Sequence, residues 1–156
     1  MNQEKYIFVK TGILPLLEGL LSEAKGKWGK MNGQQMVEHL SLFFKTSSGR
    51  IHLPLVTPAE QLPKYREFLL SEKEFRENTK APQQYIPEEP LPLRFANMQE
   101  ALQALEKSIG EFFTCFQEDP EKKILHPVFG ELNFGEWIQL HHKHVIHHLK
   151  QFGLIT

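Results

Sequence analysis

The sequence is poor in several features that mark common protein classes. Its single cysteine, Cys115, cannot form an internal disulfide, which fits a reducing compartment. No stretch approaches the roughly 18 consecutive apolar residues that suggest a membrane span. Residues 1–10 also lack the charged start, the apolar core and the cleavage site of a secretory signal peptide. We therefore expect a cytoplasmic protein with no membrane partner.

An excess of either charge is also missing. The chain has 18 basic and 19 acidic residues, a net charge of -1, and no basic tract. A nucleic-acid-binding protein normally carries a basic patch or stripe, so we expect no nucleic-acid partner. The hydrophobic fraction of 40% is ordinary for a globular protein. At 156 residues, the chain fits a single domain spanning residues 1–156.

Helical periodicity and helix-start signals predict an all-α fold. Four main helices are expected over approximately residues 11–24, 32–45, 97–116 and 133–152. The last three open at an asparagine that is followed three residues later by Gln or Glu, the pattern of a capping box. We find no alternating pattern long enough to predict a strand.

Two further segments connect these helices. A minor helix is expected from Thr57 to about Glu72, with Pro58 at its first helical position. Between Lys80 and Leu93 the prolines are too frequent for a helix, and an extended crossover is predicted; they are Pro82, Pro87, Pro90 and Pro92.

Histidine is the residue type in excess, with eight in the chain and five of them between His141 and His148. On a helical wheel of about 100° per residue, His141, His144 and His148 fall within about 60° of one another. They share this face with apolar side chains, where a helix that packs into a core would normally carry leucines. His142 and His147 fall outside the stripe. On the second helix, His39 also lies on an apolar face.

A shared metal ion explains these inward-facing histidines better than packing does. A lone buried histidine is more often a core residue hydrogen-bonded to a carbonyl group. Three or four imidazoles buried together would each need such a partner, and a common cation removes that requirement. His144 and His148, spaced i and i+4, can reach one ion from the same helix face. The pattern predicts a metal site.

Several short motifs resemble the DinB/YfiT-like superfamily of metal-dependent enzymes. The His-x-x-His-His run from His144 to His148 is similar to the signature of its last helix, and Gln35–Leu40 resembles its second-helix motif. An uncharacterised subfamily has segments similar to Trp28–Met31, His126–Gly130 and His148–Gly153. The resemblance covers most of the chain.

This resemblance implies both a fold and a ligand set. The fold would be a DinB-like four-helix bundle in up-down-down-up order, with one long crossover that agrees with the proline-rich stretch. The ligands would be His39, His144 and His148. His141 has no fixed counterpart in the family pattern. It is a candidate catalytic acid or base at the pocket mouth, or a residue that supports the ligands.

Three imidazole ligands leave at least one coordination position for water, as in catalytic zinc sites. Nitrogen ligands suit Zn²⁺, Ni²⁺ or Fe²⁺, so the cofactor is expected to be one of these divalent transition metals. Members of the superfamily include enzymes that use low-molecular-weight thiols. The predicted function is therefore hydrolysis of a small molecule, or transfer of such a thiol to it.

Other functions remain compatible with the sequence. No carboxylate shares the His144 face; Glu38 is expected to be solvated and Glu136 to be used for capping. This favours the alternative of a non-catalytic metal-binding or stress-response module.

His126 is expected at the surface or in a cap, and Cys115 as a small apolar side chain. A metal-free interaction domain is the third possible function. A homodimer through the third helix is compatible with all three functions.

Overall fold

The computed structural model of the chain describes residues 1–79 and 89–156, and these are mostly helical. The α-helices are α1 (Gln3–Ile7), α2 (Ile13–Leu17), α3 (Gly33–Ser47), α4 (Leu62–Leu70), α5 (Met98–Glu118) and α6 (Phe134–Gln151). A two-stranded antiparallel sheet of β1 (Ile124–His126) and β2 (Gly130–Leu132) precedes α6. Within the described ranges, no helix has the length and apolar character that crossing a membrane requires.

The long helices begin where their capping signals predict, but the box expected at Asn97 is incomplete, because the Glu100 carboxylate accepts from the Ala96 N–H instead of the Asn97 N–H. Asn32 and Asn133 each form a complete capping box, with Gln35 and Glu136 respectively. Gly153, just beyond α6, has a positive φ of 69°, a conformation that glycine adopts without steric cost. These three predicted features are confirmed.

The N-terminal helical region differs from its prediction. It begins at Gln3 rather than Thr11, passes through a π-helical segment over Phe8–Gly12, and ends at Leu17 rather than near Ala24. Pro15 has no backbone N–H, and its ring crowds the carbonyl group four residues earlier in a regular α-helix. The wider π turn over Phe8–Gly12 lies two residues before Pro15, where it can accommodate this conflict.

Two other sequence predictions need correction, and a third cannot be compared with the described residues. The β1–β2 hairpin was not predicted, because strands of three residues are too short to show an alternating pattern. The minor helix starts later than expected: Pro58 is extended, a 3-10 turn covers Ala59–Gln61, and Pro63 lies in the first turn of α4. Residues 80–88, with Pro82 and Pro87 of the predicted crossover, lie outside the described residues.

The hydrophobic core is centred on the packing of α3 against α5. Phe44 and Phe112 are fully buried there, with ring centroids 5.8 Å apart. The hydroxyl groups of Ser41 and Ser108 hydrogen bond at 2.9 Å between the same helices, so these buried polar atoms have partners. Helix α6 packs beside α3, which brings the histidine face of α6 towards His39.

Candidate metal centre

Three histidine side chains from two helices converge on one point. The Nε2 atom of His144 lies 3.0 Å from Nε2 of His39 and 3.1 Å from Nε2 of His148. One potential ligand atom from each residue lies within 4.8 Å of the others. The structure thus brings together the three histidines that the sequence singled out.

The two helices hold these rings in place through helical spacing and aromatic contacts. His144 and His148 are one turn apart on α6, so their side chains lie on the same face. Phe43, one turn after His39 on α3, stacks on the His144 ring with centroids 4.1 Å apart. The rings at the junction of α3 and α6 are therefore packed on several sides.

Gln151 determines which nitrogen of His148 carries the proton. The side-chain amide of Gln151 donates from Nε2 to the backbone carbonyl of Trp28 at 2.9 Å, which leaves its Oε1 facing His148. That oxygen lies 2.7 Å from Nδ1 of His148, so Nδ1 must be the protonated donor. A neutral His148 then has a bare lone pair on Nε2, directed at the cluster.

The loop that carries Trp28 closes tightly around Gln151. Gly29 has a φ of 78°, and a Cβ atom there would lie 2.7 Å from Nε2 of Gln151. Any larger residue would displace the amide that orients His148. The Trp28-Gly29 and Gln151 motifs, far apart in the sequence, are thus in direct contact beside the cluster.

Burial keeps the three imidazoles neutral. Desolvation, helped by the charge of His147, lowers the pKa of His39 from 6.5 to about 4. Desolvation is also the main reason that the pKa values of His144 and His148 fall well below 6.5, and neighbouring histidines lower them further. At neutral pH all three side chains therefore have a lone pair to offer a cation.

This donor set fits a divalent transition metal. Two nitrogen atoms bound at 2.0–2.1 Å to one tetrahedral ion would be about 3.4 Å apart. The two separations from Nε2 of His144, 3.0 and 3.1 Å, are within a few tenths of an ångström of this value, and all three ligand atoms lie within 4.8 Å of one another. Three neutral nitrogen ligands suit Zn²⁺, Ni²⁺ and Fe²⁺. A three-histidine group that can hold a metal ion is therefore present.

Comparison with known protein families agrees with this geometry. The family model of the DinB superfamily matches residues 20–152, a range that contains all three cluster histidines. The chain belongs to the DinB superfamily. Comparisons with curated proteins and with solved structures found no match.

Of the remaining histidines on α6 in this DinB-superfamily protein, His142 and His147 lie outside the three-histidine group, although the His147 ring contacts that of His148 at 5.1 Å. His142 packs against Phe8, with ring centroids 5.2 Å apart. His147 lies between Trp28 and Phe75, at 5.4 and 5.8 Å. This agrees with the helical wheel, which places both outside the stripe.

His141 lies in the core rather than at a pocket mouth, where it was expected. It is 0% exposed and stacks on Phe44 at 3.8 Å. Its Nε2 lies 2.8 Å from the Ser47 hydroxyl oxygen, and its Nδ1 is buried without a hydrogen-bond partner among the described residues. The acid or base role assigned to His141 stays a prediction, and its setting gives it no direct route to solvent.

Glu38, the neighbour of His39, was expected to be solvated, but the structure places it in the interior. It is 4% exposed, and its Oε1 accepts a hydrogen bond from the Arg94 backbone N–H at 2.8 Å and lies 3.5 Å from Nε of Arg94. Its Oε2 accepts from Gln34 at 3.0 Å. The carboxylate therefore ties residue 94 to α3. Sequence reasoning missed this role because Arg94 is 56 residues away.

His126 and Cys115 are both at least partly buried. His126 is 8% exposed, and its Nδ1 accepts backbone N–H groups of Val128 and Phe129 at 2.9 and 3.2 Å. It thus caps the hairpin turn from inside, and burial lowers its pKa to about 3. Cys115 is partly buried and packs against the core, as expected of a small apolar side chain.

Gln151 is the supporting residue that sequence reasoning overlooked. It was noted only as part of a family motif, although its spacing of three residues after His148 places both on one helix face. A polar residue at a position that is 3% exposed needs hydrogen-bond partners, and its partners are His148 and Trp28.

Proposed function

We propose that this protein is a metal-dependent enzyme acting on a small molecule, with the metal held by His39, His144 and His148. The observation that carries the proposal is that Nε2 of His144 lies within hydrogen-bond distance of Nε2 of both His39 and His148, while Gln151 fixes the lone pair of His148 on Nε2. Without a cation, a single ring proton can serve only one of the two contacts of His144 Nε2, and the other contact leaves lone pairs facing each other in a desolvated space, which is unfavourable.

The chemistry follows from the ligand set. Three protein ligands leave a coordination position open to water or substrate. A bound divalent ion supplies Lewis acidity, which lowers the pKa of a coordinated water or thiol. The chain's own residues orient the ligands, through Gln151 and Phe43, and exclude water around them. Hydrolysis and transfer of a low-molecular-weight thiol both fit. For the fold, we infer the family's four-helix bundle in up-down-down-up order.

The contacts of the Glu38 carboxylate favour a second candidate function. Hydrolysis at a metal commonly uses a carboxylate as general base. The Glu38 carboxylate is occupied by Arg94 and Gln34, and no carboxylate of the described residues joins the three-histidine group. A non-catalytic metal-binding module would need no such base. Thiol transfer needs it less than hydrolysis does, because a metal-bound thiol loses its proton readily.

Metal content of the untagged protein tests the proposal. Elemental analysis is expected to find about one equivalent of Zn, Ni or Fe in the wild-type protein and in His142→Ala. His39→Ala and His144→Ala should lose it while their helical circular dichroism remains. His142 is the matched control because it lies on the same helix outside the cluster. Absence of metal uptake by the wild-type protein would contradict the proposal.

Cobalt substitution separates the enzyme from the module. With Co²⁺ loaded, an added low-molecular-weight thiol should bind at the open position and produce a sulfur-to-cobalt charge-transfer band. An unchanged spectrum with thiols and with small anions would show a closed coordination sphere. That result would favour the non-catalytic module over the enzyme.

A further inference from the structure

A cavity of about 330 Å³ lies beside the histidine cluster, and its lining includes Gly26, Gly29, Met31, Asn32 and Gln35. Gln35 is one helical turn before His39 on α3, and residues at this spacing have Cβ atoms about 5–6 Å apart. On the other side, a Cβ atom at Gly29 would lie 2.7 Å from Nε2 of Gln151, whose Oε1 contacts His148. The cavity is therefore bounded by close neighbours of one cluster histidine on each helix.

The capping box at the start of α3 determines the orientation of the Gln35 amide. The backbone N–H of Asn32 donates to Oε1 of Gln35 at 2.8 Å, so the amide oxygen faces the cap. The NH₂ group at Nε2 then faces away from the cap. No residue in the two described ranges accepts a hydrogen bond from it, and the Gln35 side chain is half-buried. Gln35 thus has two N–H donors available at the wall of the cavity.

Helical geometry places these donors close to the cluster. Side chains on an α-helix lean towards its N-terminus, so the His39 imidazole extends over the turn that contains Gln35. The two residues are also only about 40° apart on the helical wheel. A molecule with a chain of a few carbon atoms can therefore reach from an ion held by His39, His144 and His148 to the Gln35 amide.

The residue type at position 35 is not the best one for capping. A carboxylate near a helix N-terminus is stabilised by the helix dipole, whereas a neutral amide is not. Glu forms the same capping box, as Glu136 does for α6, and the corresponding residue of α5 is Glu100. Of the three long helices in the described ranges, α3 alone has an amide at this position. A hydrogen-bond donor in the cavity accounts for this choice, which capping alone does not.

We propose that this cavity is the subsite for the non-reacting end of the substrate, and that Gln35 is a specificity-determining residue that donates from Nε2 to an oxygen of that end. The inference rests on the proposed function, because the other end of the same molecule is taken to reach the metal. The substrate class is a small thiol that carries a carboxylate or an amide a few carbon atoms from its sulfur. Both groups present an acceptor oxygen to the Gln35 amide.

The charges around the cavity do not favour one of these two groups over the other. Lys25 and Glu23 both contribute to the lining, and Lys30 forms an ion pair with Glu89. The shared feature of the ligand is therefore its acceptor oxygen rather than its charge.

Three thiols that differ only at the end distant from sulfur test the subsite. They are γ-mercaptobutyrate, γ-mercaptobutyramide and n-butanethiol, and each is titrated into the Co²⁺-loaded protein while the sulfur-to-cobalt band is recorded. The wild-type protein is expected to bind the first two about 5- to 10-fold more tightly than n-butanethiol, the usual effect of one added hydrogen bond. This ratio is measured within one protein, so a general change in metal affinity does not affect it.

Two substitutions at position 35 separate the donor from the cap. Gln35→Glu keeps the acceptor for the Asn32 N–H but replaces the NH₂ group by an oxygen. It should therefore keep the melting temperature, lose the preference for γ-mercaptobutyramide, and reject γ-mercaptobutyrate through like charge. Gln35→Leu removes the donor without adding charge and should bring both ratios close to one. The control is Gln103→Glu, the same chemical change at an exposed position on α5, which should retain the wild-type ratios.

The possible failures are distinguishable. Equal affinities of the wild-type protein for all three thiols would overturn the subsite and leave the metal site intact. Wild-type ratios in Gln35→Glu and Gln35→Leu, or lost ratios in Gln103→Glu, would overturn the role of Gln35. If none of the thiols produces the band in the wild-type protein, thiol binding at the metal fails, and the inference about Gln35 fails with it.

Discussion

The cluster of His39, His144 and His148 and the pair of His126 and His141 show two outcomes of burying an imidazole. Desolvation lowers the pKa of all five residues. In the pair, one ring nitrogen of each residue has a neighbouring protein partner: backbone N–H groups for His126 and Ser47 for His141. In the cluster, Nε2 atoms face one another. Burial alone therefore does not identify a ligand, whereas convergence of lone pairs does.

The largest expected difference between the two groups is the effect of metal on stability. A saturating concentration of Zn²⁺, about 1,000 times its dissociation constant, should raise the free energy of unfolding of the wild-type protein by about 4 kcal/mol. His148→Ala should abolish this increase, while His126→Asn should keep it, because His126 is no ligand. Urea unfolding with and without Zn²⁺ measures both. A full zinc-induced increase in the free energy of unfolding of His148→Ala would contradict the distinction between ligand and non-ligand histidines.

A smaller effect is expected from Gln151, which links the cluster to the Trp28 loop. Gln151→Leu removes the acceptor for Nδ1 of His148 and should weaken zinc binding about 10- to 100-fold. Gln151→Glu keeps that acceptor and should weaken it much less, although it loses the hydrogen bond to Trp28. Chelator competition on both variants checks this. If Leu and Glu had the same effect, Gln151 would be a packing residue only.

The smallest expected effect is in the acid sensitivity of the metal-free protein. A histidine with a lowered pKa in the folded state binds its proton more readily when unfolded, so stability is lost as the pH falls below about 6.5. The loss continues until the folded-state pKa, about 4 for His39 and about 3 for His126. Between pH 7.5 and 5.5, each such residue should cost about 1.4 kcal/mol.

His126→Asn tests the contribution of one residue to this loss. Asparagine can accept the backbone N–H groups of the hairpin turn but cannot titrate, so the variant should lose about 1.4 kcal/mol less over the same pH range. The control is His52→Asn, because His52 is exposed. Urea unfolding at both pH values measures this change in the free energy of unfolding. An unchanged pH dependence in His126→Asn would show that its proton uptake does not contribute.

Local signals explain which parts of this account were predictable from the sequence. The capping boxes at Asn32 and Asn133 are encoded within four residues, and helical spacing places His144 and His148 on one face. The pairing with His39 needed an additional clue, namely an inward-facing histidine on another helix together with the family resemblance.

The features that were missed depend on distant contacts. Gln151 meets Trp28 across 123 residues, and Glu38 meets Arg94 across 56. A helical wheel identifies the face of a side chain but not the loop that will cover it, so Glu38 was wrongly expected to be solvated. The environment of His141 likewise depends on Ser47, 94 residues away.

X-ray absorption at the metal edge of the metal-loaded protein tests the central claim most directly. The spectrum should show one ion with three imidazole nitrogen ligands at about 2.0–2.1 Å and at least one exchangeable oxygen ligand. In His144→Ala, the imidazole scattering should fall or the metal should be lost. A spectrum dominated by carboxylate oxygen ligands, or one unchanged by His144→Ala, would place the metal elsewhere and contradict the account.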